Sequence, residues 1–384
     1  MKRKLAILGA TGSIGRAALD VVRANDGDFE LALLSAHSKG AALEALGAEF
    51  PRALLALSGA AASAGPGSSG PGPDGSRVGY RGPEALLAAI AEAGADITLN
   101  GIAGAAGLLP SLAALRAGSA LALANKETVV LAYPLVKALA EEQGLPIIPV
   151  DSEHAAVFRL LEAHGRDQVR EVILTASGGP FRGHTLHQLK KVTVREALAH
   201  PTWNMGPKIS VDSATMANKG LEVIEAVRLF DLKPEQVTVV IHPQSVVHSL
   251  VRLVDGALYA QLSRPDMRLP IQEALYWPET VPSPFGGLEL PGLRLDFEAP
   301  DGERFPMLPL AYEAARLGAL YPCAYNGANE AAVEAFFHGR LGFLDIPAVV
   351  QYVLNQDWGG ELHIESITEA DRRSRELAAF RIGG

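Results

Sequence analysis

Short apolar runs alternate with helix-like segments through the first 150 residues. Residues 4 to 8 read as a strand, a glycine turn follows, and Ile14 to Ala24 reads as a helix. Phe29 to Ser35, Ile97 to Leu99, Ala120 to Ala124 and Ile147 to Val150 are further strand candidates, with Ala-rich helical stretches between them. Near-continuous apolar strands separated by helices predict an α/β fold whose N-terminal part, residues 1–150, is a Rossmann-like, doubly wound parallel sheet. The texture then changes. Val169 to Ala176, Val237 to His242, Val246 to Val254 and Ala257 to Leu262 predict a second sheet in an α+β domain over 151–277. Pro and Gly crowd 278–302, which reads as a linker. From 303 to 384 the pattern is helical, with Ala311 to Leu317, Asn326 to His338 and Ile346 to Leu354 as candidates. Within the first domain, 58–76 is a Gly/Ser/Pro run with too few apolar groups to pack, and a surface loop without assigned function is expected there.

A chain of 384 residues with 48% hydrophobic residues can bury more than one core. Its net charge of -9 argues against nucleic-acid binding, yet a few cations in a cleft can still hold an anionic small molecule. Cys323 is the only cysteine, so no internal disulfide is possible, and a cytoplasmic setting with a plain buried thiol is expected. The start, Met-Lys-Arg-Lys then Leu-Ala-Ile-Leu, has the order of a secretion signal, but the apolar run stops at Gly9, so a buried first strand is predicted. No run reaches the about 18 apolar residues of a membrane span.

Gly9-x-x-Gly12-x-x-Gly15 follows the first strand and opens a helix, the context of a dinucleotide turn. Thr11, Gly12, Ser13 and Ile14 are the candidate cofactor contacts. The second strand ends Ser35-Ala-His-Ser-Lys39 without the acid that would bind an NAD ribose; a 2′-phosphate would find hydroxyls, the His37 imidazole and the Lys39 ammonium instead, so NADP is favoured, with Ala36, His37 and Ser38 as the candidate contacts. Asp151 and Glu153 follow another strand end, where two acids so close call for a positive partner. His154 beside them reads as incidental.

The densest stretch is His200-Pro-Thr-Trp-Asn-Met-Gly-Pro-Lys-Ile-Ser-Val-Asp-Ser-Ala-Thr-Met-Ala-Asn-Lys-Gly-Leu-Glu222. It opens as a loop, and a helix from Met216 to Phe230, capped by Asp212 or Ser213, puts Asn218, Lys219 and Glu222 on one polar face. Gly220 inside that helix implies a close approach to the backbone. Asp151, Glu153 and Glu222 together offer oxygen-only ligation, which suits Mg²⁺ or Mn²⁺. Ser177-Gly178-Gly179 can cradle a phosphate, with Ser213, Asn218, Lys219 and His200 as further donors. Small residues at both ends and Trp203 within suit a lid over about 177–207. His242 and His248, strand residues six apart that would share a face, read as structural or interface residues.

Together, Val150-Asp-Ser-Glu-His-Ala155, Ala124-Asn-Lys-Glu127, Thr175-Ala-Ser-Gly-Gly-Pro-Phe-Arg182 and the stretch ending at Glu222 resemble the 1-deoxy-D-xylulose-5-phosphate reductoisomerase family. The resemblance implies Asp151, Glu153 and Glu222 as metal ligands. Substrate contacts would come from Lys126, Ser152, Glu153, Ser177, His200, Ser213, Asn218, Lys219 and Glu222, with Trp203 closing over the substrate. Lys126, Glu153 and Glu222 would carry the chemistry. Asn125, Glu127 and Gly206 would line the nicotinamide end of NADPH. Where this chain has Ala36, His37 and Ser38, the family typically has Gly, a Lys or Arg, and Asn. The resemblance further implies a central catalytic domain with a lid loop, a homodimer formed through its sheet, and conversion of 1-deoxy-D-xylulose 5-phosphate, a small phosphorylated sugar, to 2-C-methyl-D-erythritol 4-phosphate. Two other classes are compatible with the residues: an NADP- and metal-dependent hydroxy-acid oxidoreductase without isomerase activity, and a catalytically silent NADP-binding regulator.

Overall fold

The computed structural model describes residues 2–59, 77–203 and 205–383, so most of the 58–76 run lies outside the described residues. The chain divides into two compact units. One comprises the chain up to Thr128, Val136–Asp151 and Asp266–Gly286, and the other Val129–Leu135, Ser152–Pro265 and Gly287–Gly384.

The first unit is built on seven strands: β1 (Arg3–Leu8), β2 (Phe29–Ala36), β3 (Leu54–Leu57), β4 (Tyr80–Arg81), β5 (Ile97–Asn100), β6 (Ala120–Leu123) and β7 (Ile147–Pro149). All pair in parallel, in the order β4-β3-β2-β1-β5-β6-β7. Helices α1 (Ser13–Ala24), α2 (Gly40–Glu49), α3 (Pro83–Ala93), α4 (Leu108–Arg116) and α5 (Lys126–Gln143) make the crossovers. Leu5, Ile7, Leu33, Ile97, Leu99 and Leu121 are buried in the central strands, as a sheet covered on both faces requires. The strand order reverses between β1 and β5, and ligands of such sheets bind at that switch point, beyond the carboxyl ends.

Residues 266–286 belong to this unit, although the sequence pattern puts a domain end at 277 and a linker beyond it. The reason is helix α11 (Arg268–Tyr276), whose buried Ile271 and Leu275 pack it on α1. The Tyr276 hydroxyl donates to Asp28 at 2.5 Å and Arg3 Nη1 donates to the Leu275 carbonyl at 2.6 Å.

The second unit contains a mixed sheet of β8 (Val169–Ala176), β9 (Val237–Ile241), β10 (Val247–Leu253) and β11 (Leu258–Leu262), ordered β11-β10-β8-β9. Its helices before the sheet's last strands are α6 (Ser152–His164), the short α7 (Leu186–Leu189) and α8 (Val194–Ala197), α9 (Pro207–Thr215) and α10 (Ala217–Leu229). After α11 come α12 (Met307–Leu317), α13 (Tyr321–Phe337), α14 (Ile346–Leu354) and α15 (Ile364–Gly383). Small residues along α13 (Ala324, Ala328 and Ala332, all buried) let α12, α14 and α15 approach it. His242 follows β9 and His248 lies on β10, with a turn between them, so the two do not share one strand face. Both histidines are buried, and the His242 Nδ1 meets the Asp296 carbonyl at 2.9 Å.

Helix α5 breaks at Ala132 (φ -143°), two residues before Pro134. Proline has no N–H for the Val130 carbonyl. Arg228 supplies the missing donor, with Nη1 at 2.7 Å from the Val130 carbonyl and 3.1 Å from that of Val129. Burial pulls the Arg228 pKa down to about 10, which still leaves the guanidinium charged at neutral pH. Among the described residues, no helix is long and apolar enough to cross a membrane.

Candidate active site

The glycine turn sits at the switch point. Gly9 has φ +83°, and a side chain there would bring Cβ within 2.9 Å of the Gly101 carbonyl oxygen after β5. Only glycine satisfies both constraints. The turn is fixed from β2: the Ser35 hydroxyl accepts from the Gly9 N–H at 3.1 Å, and the Ser35 carbonyl accepts from Ala10 at 2.7 Å. Gly12 caps α1 without a side-chain bond, and Gly12 and Ser13 are exposed, with Thr11 and Ile14 partly so. Free N–H groups at an open helix start form an anion site. Ala36 is buried at the end of β2, whereas His37 and Ser38 are exposed, and the His37 Nδ1 lies 3.3 Å from the Ser58 hydroxyl.

Asn125 is the N-cap of α5 and is buried. Its Oδ1 accepts from Thr128 N at 2.9 Å, while its Nδ2 donates to the carbonyls of Ile102 (2.7 Å) and Gly104 (2.9 Å) and to Glu127 (2.9 Å). The amide thus shapes the 102–104 loop beside Gly9. That loop was passed over in the sequence pattern, although Asn100-Gly101 directly after a strand is a turn signal. Asn100 itself is buried, and its Oδ1 accepts from Ile102 N at 3.1 Å. One residue on from Asn125, Lys126 is buried and places Nζ 2.8 Å from Asp151 Oδ2. A nearly buried ammonium needs such a carboxylate to offset its desolvation.

In the second unit, Glu153 opens α6 and Glu222 lies on α10, and the two offer carboxylate oxygens within 4.8 Å of each other. Lys219 stands between them, its Nζ 2.9 Å from Glu153 Oε1 and bonded to Glu222 Oε2. The outer oxygens are held as well: Ser152 donates to Glu153 Oε2 at 2.6 Å and Asn218 to Glu222 Oε1 at 2.6 Å. Lys219 is 4% exposed and Glu222 1%, so the polar face of α10 is buried rather than solvated. Two carboxylates against one ammonium leave a net negative charge and oxygen donors only, which fits a hard divalent cation. His154 is not incidental. Fully buried, it brings Nε2 within 3.0 Å of the Glu222 carbonyl, and so ties the two carboxylate-bearing helices together.

The helical pattern around Asp212 also differs from expectation. Pro207 starts a separate helix, α9, because proline's fixed φ suits a first helical position. Asp212 and Ser213 therefore lie inside α9 and cap nothing, and Met216 (φ +65°) forms the left-handed joint to α10. Gly179 packs against this helix, where a Cβ would meet the Ser213 carbonyl oxygen at 2.7 Å. Gly178 and Gly179 have φ +81° and +65°. The close approach at Gly220 comes from α12 and α13, where a Cβ would lie 2.7 Å from both the Ala311 Cβ and the Tyr325 hydroxyl.

Across the 177–207 loop, the His200 Nε2 lies 2.9 Å from the Ser177 hydroxyl, and its Nδ1 accepts from Trp203 N at 2.9 Å and Thr202 N at 3.2 Å. Nδ1 as a double acceptor fixes the proton on Nε2, which donates to Ser177 and leaves the serine its own proton to donate. Burial lowers the His200 pKa, in keeping with a neutral ring. Trp203 is half-buried, 6.4 Å between ring centres from His248. Gly206 caps α9 with open space around its Cα, and the loop also contains the short helices α7 and α8.

Three family models match the chain: 1-deoxy-D-xylulose 5-phosphate reductoisomerase over residues 5–133, its C-terminal domain over 147–230, and the DXP reductoisomerase C-terminal domain over 262–377. The chain is 46% identical to the 1-deoxy-D-xylulose 5-phosphate reductoisomerase of Pelodictyon phaeoclathratiforme, covering 98% of each protein, and 47% identical to that of Ectopseudomonas mendocina, covering 98% of this chain and 97% of the relative. Its fold is similar to a crystal structure of DOX-P reductoisomerase in complex with NADPH, fosmidomycin and magnesium, with TM-score 0.90 and 40% identity over 99% of this chain and 98% of the other. It is also similar to the Zymomonas mobilis enzyme in complex with NADPH, with TM-score 0.88 and 39% identity over 100% and 99%. Likeness of this extent in sequence and in fold has one reading: the chain belongs to the 1-deoxy-D-xylulose 5-phosphate reductoisomerase family.

Proposed function

We propose that this chain rearranges and reduces 1-deoxy-D-xylulose 5-phosphate to 2-C-methyl-D-erythritol 4-phosphate, an isoprenoid precursor, using NADPH and magnesium or manganese. The observation that carries this reading is the pair of the partly buried Glu153 and the buried Glu222 bridged by Lys219, a cluster of carboxylate donors with residual negative charge. NADPH and magnesium occupy related enzymes of known structure.

Asp151, Glu153 and Glu222 would hold the cation, and Thr11, Gly12, Ser13 and Ile14 the pyrophosphate of NADPH, with His37 and Ser38 toward the 2′-phosphate. When bound, the cation supplies Lewis acidity toward the substrate's carbonyl and hydroxyl oxygens, and NADPH supplies the hydride. Every other task falls to side chains. Lys219, released from between the carboxylates, turns its ammonium to the substrate. Ser177, His200, Ser213 and Asn218 bind the phosphate end and hydroxyls, and Trp203 excludes water. Lys126, held by Asp151, provides the proton for the hydroxyl formed on reduction. Asn125 and Glu127 act on the nicotinamide end by shaping the 102–104 loop, with Gly206 as a backbone contact.

A homodimer is part of the proposal. β11 is a sheet edge, and it exposes Leu258, Tyr259 and Leu262, an arrangement that a second copy would cover. A cytoplasmic location follows from the cofactor and the lone thiol.

The test is NADPH oxidation, followed by absorbance, with 1-deoxy-D-xylulose 5-phosphate and Mg²⁺ or Mn²⁺, beside a chelator and the Glu222→Gln variant. Oxidation requiring both substrate and metal, lost in the variant, is expected, with a branched product. Turnover that yields an unbranched product would instead favour a hydroxy-acid oxidoreductase, and NADPH binding without turnover a regulator.

A further inference from the structure

The C-terminal helices contribute no residue to the site proposed above, yet one of them reaches it through a single buried carboxylate. Asp212 lies on α9 and is 1% exposed. Its two oxygens have different partners: Oδ1 accepts from Asn329 Nδ2 on α13 at 2.8 Å, and Oδ2 pairs with Lys208 Nζ at 2.9 Å. Lys208 stands two residues after Gly206, at the closing end of the 177–207 loop, and Ser213 is next to Asp212 in the chain. Asn329 is fully buried, and among the described residues its Oδ1 receives no hydrogen bond. An amide buried with one end unsatisfied is costly, and its bond to Asp212 is the contact that offsets this. Tyr325, one turn earlier on the same face of α13, packs where Gly220 of α10 leaves room. One helix therefore fixes both α9 and α10.

We infer that Asn329 is a positioning residue for the reaction: through Asp212 it sets the placement of Ser213 and of the loop's closing end at Lys208. This rests on the assignment of Ser213 and the 177–207 loop to substrate binding. Asn329→Leu keeps the volume and removes the donor, and Asp212→Asn keeps the shape and removes the charge. Neither residue is among the substrate contacts proposed above. The first readout does not need activity: trypsin cleavage after Lys208 in the full-length chain, timed by mass spectrometry. Loss of a charge-assisted hydrogen bond should speed this cleavage about tenfold or more. The second is the split of KM from kcat for 1-deoxy-D-xylulose 5-phosphate, with far-UV circular dichroism as the control on folding. KM should rise about tenfold in each variant with the circular dichroism unchanged, and the double variant should be no worse than the poorer single one.

Folded variants with unchanged cleavage and unchanged KM would overturn the inference, as would strictly additive effects in the double variant. If the unsubstituted protein does not turn over the sugar phosphate at all, the functional reading fails, and cleavage after Lys208 alone decides whether Asn329 anchors the loop.

Discussion

Gly220→Ala sets helix propensity against packing, and the structure says which prevails. In an unconstrained helix this substitution stabilises by about 1 kcal/mol, because alanine has less backbone entropy to lose. Here the added Cβ would lie 2.7 Å from the Ala311 Cβ and 2.7 Å from the Tyr325 hydroxyl, with the Met307 carbonyl oxygen at 3.3 Å. Carbon pairs prefer about 3.5 to 4.0 Å. Neither neighbour can turn away. Ala311 has no torsion to use, and the buried Tyr325 hydroxyl is engaged by the Met307 carbonyl at 3.1 Å. Relief requires α10 to move off α12 and α13, at the overpacking cost of about 1–3 kcal/mol. With rigid contacts on two sides the upper part of that range applies, so the net expectation is a destabilisation of about 1–2 kcal/mol. A shift of α10 also carries Asn218, Lys219 and Glu222 with it, and turnover should fall further than stability alone accounts for. The assay is urea unfolding followed by circular dichroism, with steady-state NADPH oxidation on the same preparations. Gly40→Ala, where the nearest atom to the added Cβ is the Leu57 Cδ2 at 3.6 Å, serves as the control and should be neutral or stabilising. A Gly220→Ala protein as stable and as active as the parent would refute the packing argument.

Two further outcomes follow from buried titratable groups. Burial lowers the folded-state pKa of His200, so the unfolded segment takes up the proton first, and loop order should be lost as pH falls through the ordinary histidine range near about 6.5 and be retained above it. The protection factors of the Thr202 and Trp203 amides, which donate to Nδ1, should fall as pH drops from 7.5 to 5.5, each referred to the intrinsic exchange rate at that pH; His200→Asn should abolish that pH dependence, and an unaltered profile in the variant would contradict the assignment. Cys323 is buried and its thiol is pushed up to about 12, chiefly by burial, so Ellman's reagent at pH 8 should label it only on unfolding; rapid labelling of the native protein would show that the α13 packing opens readily.

The linear pattern determined a good deal of this protein. Buried parallel strands announce themselves as continuous apolar runs, so β1, β2, β5, β6 and β7 were legible, and so was the glycine turn after β1. β4 has two residues, too few for any period, and β3 (Leu54–Leu57) sits in a Leu/Ala stretch that continues the Ala-rich helical pattern before it, so both escape the linear pattern. Asp151, Glu153 and Glu222 could be singled out because acids beside apolar strand ends or on one helix face are conspicuous. Their surroundings could not. That Lys219 is buried between Glu153 and Glu222, that His154 ties their helices, and that Asn125 shapes the 102–104 loop are facts of tertiary contact, since a side chain's partners are set by elements far away in sequence. The joint at Met216 was hidden because Pro207 starts a helix as readily as it ends one. The return of α11 to the first unit depends on a packed face rather than on the Pro and Gly content of 278–302. Sequence fixes which groups are available, through periodicity and residue type. Which of them meet is decided by packing, because burial makes every unpaired charge costly and leaves only arrangements in which Glu222, Lys219 and Asp212 each find a partner.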